Sequence, residues 1–342
     1  MILMKPIPFP AGKLPPDFLA ALLARYSPRD QRVLLGPGEG LDCAVIDVGD
    51  RLLVLKSDPI TFVSDQAGWY AVQVNANDIA TTGASPRWML VTLLLPQGNA
   101  FPDQVEALFE QVNRAASALG ISVVGGHTEV THGIDRPILS AAMLGEVAHE
   151  RLVTPRGAAP GDAVLLTKEV PIEAVSILAR EFPRRLAGAL HPAELRQAQD
   201  YLTQPGISVV RDASLAAAAG RVTAMHDPTE GGILAALWEL SVACGCPLEI
   251  DPALIPVSPL AQKVCAACGV DPLAAIASGA LLLTCATADA QTIQAALRQA
   301  GIACAQIGVV RCGVPAVKST AGNLLPRPAR DEIARLFDEM QS

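Results

Sequence analysis

Charge is scarce in this chain: 18% of its 342 residues are Asp, Glu, Lys or Arg, and the 26 basic ones are outnumbered by 34 acidic ones. The formal net charge is −8, and no block of Lys or Arg is present to neutralise a run of phosphates, so nucleic acid is not expected as a partner. Aromatic residues are also few, at 4%, which argues against an aromatic-rich binding surface. No apolar run approaches the 18 or so residues that a membrane-spanning helix needs. Residues 1–16 carry Lys5, Lys13 and several prolines instead of the apolar centre of a signal peptide, so a cytoplasmic location with no membrane contact is expected. Eight cysteines are too few for a disulfide scaffold of this length, and reduced thiols are expected. Seven of them fall between Cys244 and Cys312 among Ala, Val and Leu, where a small buried thiol packs well. The Cys265/Cys268 pair with Cys244 and Cys246 upstream admits a four-thiolate zinc site as the alternative. Internal repeats and low-complexity tracts are absent.

What the chain has is apolar content, 51% of residues, rich in Ala, Val and Leu, which suits helices packed on sheets. Its length exceeds what one core usually supports, and two domains of roughly 150 to 180 residues follow. An α/β fold class is therefore expected, with an α+β first domain and an α/β second domain. Residues 1–38 read as an N-terminal extension with a short helix, 39–154 as the first domain, 155–313 as the second and 314–342 as a tail ending in a helix. The break is placed in the turn-rich stretch Thr154 to Asp162.

In the first domain, Ala44 to Val48 and Leu52 to Lys56 read as a hairpin closed at Gly49-Asp50. Residues Asp65 to Thr82 read as a buried helix, Trp88 to Leu95 as a strand and Pro102 to Leu119 as a helix. The strands Ile121 to Val124 and Ile138 to Val147 complete one sheet with helices on one face, leaving the other apolar face for a second subunit to cover. The second domain alternates helices near 172–180, 192–202, 208–219, 231–244 and 289–300 with strands near 222–225, 280–285 and 305–310, after a strand at Ala163 to Thr167.

Polar clusters stand out against this apolar background: Asp42 before a strand, Lys56-Ser57-Asp58 after one, Asn77-Asp78 in the buried helix, and Gly125-Gly126-His127-Thr128-Glu129. Two readings are open. Asp42 and Asp58 are turn residues and Asp78 a satisfied helix acid, or the three carboxylates converge to hold a hard cation such as magnesium, which takes oxygen ligands. His226-Asp227-Pro228-Thr229-Glu230-Gly231-Gly232 likewise allows two roles, Asp227 as N-cap of the following helix or His226, Asp227 and Glu230 as acid–base or substrate-orienting groups.

The ordered set Asp42-Cys43-Ala44-Val45, Ser57-Asp58, Asn77-Asp78-Ile79-Ala80 with Gly83-Ala84-Ser85-Pro86, Gly125-Gly126-His127-Thr128 and Asp227-Pro228-Thr229-Glu230-Gly231-Gly232 resembles the superfamily of aminoimidazole-ribotide synthetase, thiamine-monophosphate kinase, selenophosphate synthetase and the hydrogenase-maturation carbamoyl dehydratase. The resemblance is nearest to the hydrogenase-maturation branch. It implies a homodimer whose N-terminal domains join their sheets into an intersubunit β-barrel, with residues 39–154 binding ATP. By carry-over Asp42, Asp58 and Asp78 hold magnesium, with Glu129 a further candidate. Lys56, Asn77, Gly125, Gly126, His127 and Thr128 line the nucleotide site, the two glycines allowing close backbone approach. His226, Asp227 and Glu230 are the catalytic candidates.

Two departures qualify the implied activity. Position 127 is an acid in the relatives and His here, leaving either a phosphate contact by the imidazole or a substitute role for Glu129. The dehydratase works on a C-terminal cysteine, whereas this sequence reads Asp338-Glu339-Met340-Gln341-Ser342 at its end. The expectation is an ATP- and magnesium-dependent enzyme that phosphorylates or dehydrates an amide or carbonyl-type oxygen of a separate, unidentified small-molecule or protein acceptor. The alternatives are a small-molecule kinase like the thiamine-monophosphate enzyme and a non-catalytic nucleotide-binding scaffold for metalloenzyme maturation.

Overall fold

The computed structural model describes residues 9, 14, 16–25, 28, 30–38, 40–61 and 65–341. The N-terminal extension is thus described only in part, and Lys5 and Lys13 lie outside it; its helix is α1 (Pro16–Arg25).

The first sheet joins β1 (Val33–Leu35), β2 (Ala44–Asp47), β3 (Leu52–Ile60), β4 (Ser85–Pro96), β5 (Ser122–Thr131) and β6 (Ile138–Val147) in the order β1-β2-β3-β6-β4-β5. All neighbours are antiparallel except β4 and β5. The hairpin between β2 and β3 forms where expected. Gly49 takes φ 106° and donates its N–H to Asp47 Oδ1 at 2.8 Å, a backbone state that disfavours a side chain. Two strands are longer than the sequence pattern suggests. β3 runs on to Ile60 because β6 pairs with it from Leu52↔Val147 to Ile60↔Leu139, so Ser57 and Asp58 lie inside a strand instead of after one. β5 likewise continues through Gly125 to Thr131, because β4 offers a partner along its whole length.

The helices α2 (Ala67–Thr81) and α3 (Pro102–Ala118) complete the first unit. Nearly every described residue of α2 is buried, including Asn75, Asn77 and Asp78. A helix buried on all sides must satisfy its polar side chains internally. Asn77 does so by bridging to the second unit, donating from Nδ2 to Ile207 O and accepting at Oδ1 from Val209 N, both at 2.8 Å.

The second sheet contains β7 (Ala163–Thr167), β8 (Val222–His226), β9 (Leu248–Ile250), β10 (Leu282–Cys285), β11 (Cys304–Val310) and β12 (Val317–Ser319), ordered β12-β9-β11-β7-β10-β8. Only the β12–β9 pair is parallel. Around it lie α4 (Ile172–Glu181), α5 (Pro183–Leu186), α6 (Pro192–Asp200), α7 (Val210–Ala219), α8 (Gly232–Cys244), α9 (Pro259–Cys268), α10 (Ala290–Gln299) and α11 (Glu332–Gln341). Alternation along β7 builds three layers. Val164 and Leu166 pack with Ile233, Leu237 and Leu240 of α8, while Ala163 and Leu165 pack with Ala213 and Ala216 of α7 and Ile293 and Leu297 of α10. Each such buried Leu or Ile contributes roughly 2 kcal/mol of transfer free energy. β9, β12 and α9 escaped the sequence reading; three-residue strands are too short to show a period.

Among the described residues every cysteine is a free thiol. Cys265 and Cys268 belong to the core around α4 and α9, and Cys244 and Cys246 border the core around α8, so the four do not converge as a zinc site. No described helix is long and apolar enough to cross a membrane.

Candidate active site

The end of β8, the middle of α2 and the β2–β3 edge meet at one buried polar centre. Lys56, on β3, extends its ammonium to 2.8 Å from Asp78 Oδ2 and 3.1 Å from Asp58 Oδ2. Burial disfavours the Lys56 charge, yet Asp78, Asp42 and Asp58 outweigh it and hold the ammonium pKa well above its usual value. Asp78 is itself fully buried, and that burial raises its carboxyl pKa against the pull of Lys56. Asp42, Asp58 and Asp78 are thus brought together around the Lys56 ammonium. Cys43 sits in the same centre, its thiol pushed far up by burial and by Asp78.

The second unit contributes His226 and Asp227. His226 Nδ1 lies 3.2 Å from Asp42 Oδ2, and its Nε2 lies 2.8 Å from Glu239 Oε2 on α8. Burial works against a charged ring, but the two carboxylates prevail and the imidazole pKa stands well above its ordinary value. Asp227 is completely buried, and its carboxyl group lies against that of Asp78, with no donor from the backbone or from a basic side chain in hydrogen-bonding position. Burial, then the Asp42 charge, raises its pKa. Such a group is costly to leave unpaired, and a cation is the partner its chemistry asks for. Donor atoms of Asp42, His226 and Asp227 all lie within 4.8 Å of one another.

Asp227 does not cap α8. The N-cap position is Gly231, whose N–H donates instead to Asp331 Oδ2 at 2.7 Å, so the cap comes from the C-terminal segment. Glu230 lies near a second acidic group: its charge helps raise the pKa values of buried Glu173 and Asp331. Burial is the chief cause for both, taking Glu173 to about 7 and Asp331 to about 6.

The other nucleotide-site candidates lie elsewhere. Asn77, one residue before Asp78, spends both ends of its amide on the Ile207 and Val209 backbone. Gly125, Gly126, His127, Thr128 and Glu129 sit on the exposed edge strand β5, where His127 Nε2 lies 3.1 Å from Glu129 Oε2. The close approach seen at Gly126 is to β4: a Cβ there would fall 1.8 Å from Val91 O. With Val91, Leu108, Phe109, Val112, Val123 and Val124, the residues from Gly125 to Thr128 line an apolar groove of about 470 Å³. Glu239, Glu173 and Asp331 were not singled out from sequence. Glu239 lies mid-helix and Asp331 a hundred residues from the turn it caps, separations that no local spacing rule spans.

A family model described as AIR synthase related protein, N-terminal domain, matches residues 40–147, and its C-terminal counterpart matches 159–314. The carbamoyl dehydratase HypE of Cupriavidus necator is 31% identical over 249 residues, which span 70% of this chain and 66% of that protein. Among solved structures, Escherichia coli HypE superposes with a TM-score of 0.72 at 23% identity, covering 94% of this chain and 99% of that one. AaThiL complexed with AMPPCP and TMP gives 0.70 at 21% identity, covering 92% and 94%.

Proposed function

Because the chain belongs to the AIR synthase-related superfamily that includes the hydrogenase-maturation proteins, we propose that it is an ATP- and magnesium-dependent enzyme acting on an amide or carbonyl-type oxygen of a separate acceptor. The observation that carries this reading is the buried carboxylate centre of Asp42, Asp58, Asp78 and Asp227 where the two units meet. Fully buried Asp227, set against the carboxyl of Asp78, fits a site built for a cation. Oxygen donors suit magnesium. The nucleotide part is supported by a fold shared with proteins whose structures hold ATP or AMPPCP.

Asp42, Asp58 and Asp78 would hold the ion, with Asp227 facing it from the second unit. Magnesium, when bound with the nucleotide, neutralises phosphate charge as a phosphoryl group departs. The chain's own residues supply orientation and proton placement. Lys56, fixed between Asp58 and Asp78, presents a permanent positive charge for a phosphate oxygen. His226, charged between Asp42 and Glu239, carries a proton inside the same centre. Closure of the two units around the site excludes water, which strengthens each of these interactions. A second copy of the chain would cover the exposed apolar positions Leu90, Val123, Val124 and Val130 of the first sheet, giving the homodimer.

Calorimetric titration of magnesium-ATP into the wild type and Asp58→Asn tests the reading. Asp58 is partly exposed, so the variant should fold. Magnesium-dependent binding that drops at least about tenfold in the variant is expected, given a lost carboxylate ligand. No binding to the wild type would refute the proposal and the nucleotide-binding scaffold with it, whereas binding without turnover would leave the scaffold. Phosphate release without a phosphorylated acceptor, against stable γ-phosphate transfer, separates the dehydratase-type reaction from the kinase.

A further inference from the structure

We propose that Cys244 and Cys246, at the C-terminal end of α8, form a dithiol that exchanges reversibly with small disulfides such as glutathione disulfide. The helix stops there on a glycine turn. Gly245 takes φ 71° and ψ 16°, and the turn is closed by Gly245 N donating to Val242 O at 3.3 Å and Cys246 N to Ser241 O at 3.2 Å. Those dihedrals mirror the helical ones, so the Cα atoms on either side of Gly245 stand about 5.5 Å apart, as two residues along a helix do. A disulfide spans Cα separations of about 4.4 to 6.8 Å, and the backbone is already set for one. The sulfurs are close as well. The Cys244 thiol is directed at the carbonyls of Ser241 (3.6 Å) and Cys246 (3.8 Å). Burial raises its pKa, and contact with the Cys246 thiol adds to the rise.

Access separates this pair from the other close one. Cys265 and Cys268 are each 1% exposed, whereas Cys244 and Cys246 are half-buried at the rim of the core around α8. Ser241 fixes the corner, donating from Oγ to Cys246 O at 2.7 Å and accepting there from Ala316 N at 2.9 Å. Burial keeps the Cys244 proton in place, which leaves Cys246 as the entering nucleophile. Its thiolate attacks one sulfur of the small disulfide, a new S–S bond forms, and one thiolate leaves. Cys244, giving its proton to solvent, then attacks the Cys246 sulfur and expels the second thiolate. Two electrons thereby pass to the small disulfide, which departs as two thiols, and the chain retains the Cys244–Cys246 bond. A bond closing so short a loop gains little from chain entropy and is readily reduced again. Cys312 is the competing partner. Val310 pairs with Leu248, and Arg311 N donates to Pro247 O at 2.8 Å, a register that carried one step further sets exposed Cys312 opposite Cys246.

Glutathione disulfide is the probe. Native full-length protein is incubated with it, quenched in acid and alkylated, and the peptides are mapped by mass. The expected product has lost two of its eight free thiols and carries a Cys244–Cys246 bond, which excess reduced glutathione reopens. Cys312→Ser should form the same bond. Cys244→Ser, lacking the resolving thiol, should trap glutathione on Cys246 as a stable mixed disulfide, and Cys246→Ser should give neither product. Circular dichroism checks the fold of each variant, and the wild-type map decides by itself should one of them unfold. A Cys246–Cys312 bond in the wild type, a mixed disulfide that persists there, or eight thiols left after excess glutathione disulfide overturns the proposal. None of these readouts involves nucleotide or magnesium, so this site and the proposed function fail independently.

Discussion

Replacing Glu173 by Gln should make the protein more stable above neutral pH and leave it nearly unchanged in mild acid. Glu173 lies in the first turn of α4 at 4% exposure, and its Oε2 has no hydrogen-bond partner. Burial, with Asp331 and Glu230 nearby, lifts its pKa from an ordinary 4.5 to about 7. Between those two values the folded chain holds a proton that the unfolded chain has lost, so stability falls as pH rises. The stabilising share is complete below about 4.5, declines through 7 and is gone above it. A rise of this size corresponds to about 3 kcal/mol, the cost of keeping the carboxylate charged and enclosed at pH 8. Gln has nearly the same shape and no charge to bury. Urea unfolding of wild type and Glu173→Gln, followed by tryptophan fluorescence and circular dichroism, should show a gain of roughly 2 to 3 kcal/mol at pH 8 and less than about 1 at pH 5. Asp331 titrates in both proteins and largely cancels. An equal difference at the two pH values would refute the reasoning, because a packing effect does not depend on protonation.

Two smaller perturbations test the frame around the site. Asn77→Ala removes two buried hydrogen bonds and strands Ile207 O and Val209 N, a loss of about 2 to 4 kcal/mol; hydrogen exchange at the Val209 amide should accelerate, and an unchanged rate would count against the clamp. Gly126→Ala forces a Cβ onto Val91 O and should cost at least about 2 kcal/mol, read as a lowered melting temperature. A wild-type melt would mean that β5 does not hold its register on β4.

Much of the fold was legible because its elements are long and strongly patterned. The buried helix at Asp65 to Thr82, the Gly49 hairpin and the β7 strand each announce themselves by composition or a turn residue, and each forms. The convergence of Asp42, Asp58 and Asp78 was legible only as one of two readings, since spacing along a chain says nothing about separation in space. Only the fold shows that the three acids gather around the enclosed Lys56 ammonium. Asn77 was placed in the nucleotide pocket only by the family resemblance; successive helical residues point about 100° apart, and its amide bonds the backbone of the other unit. The α8 cap is a further case, since Asp227, four residues before the N-cap Gly231, was nearer in sequence than Asp331, but it is Asp331 that accepts from Gly231 N.

The amide of Asn77 and the carboxylate of Asp78 occupy consecutive positions on one rigid helix, so the grip between the two units and the grip on any cation share a single lever. Parting the units along this seam means surrendering two enclosed hydrogen bonds, while a few degrees of rotation about α2 would displace both groups at once.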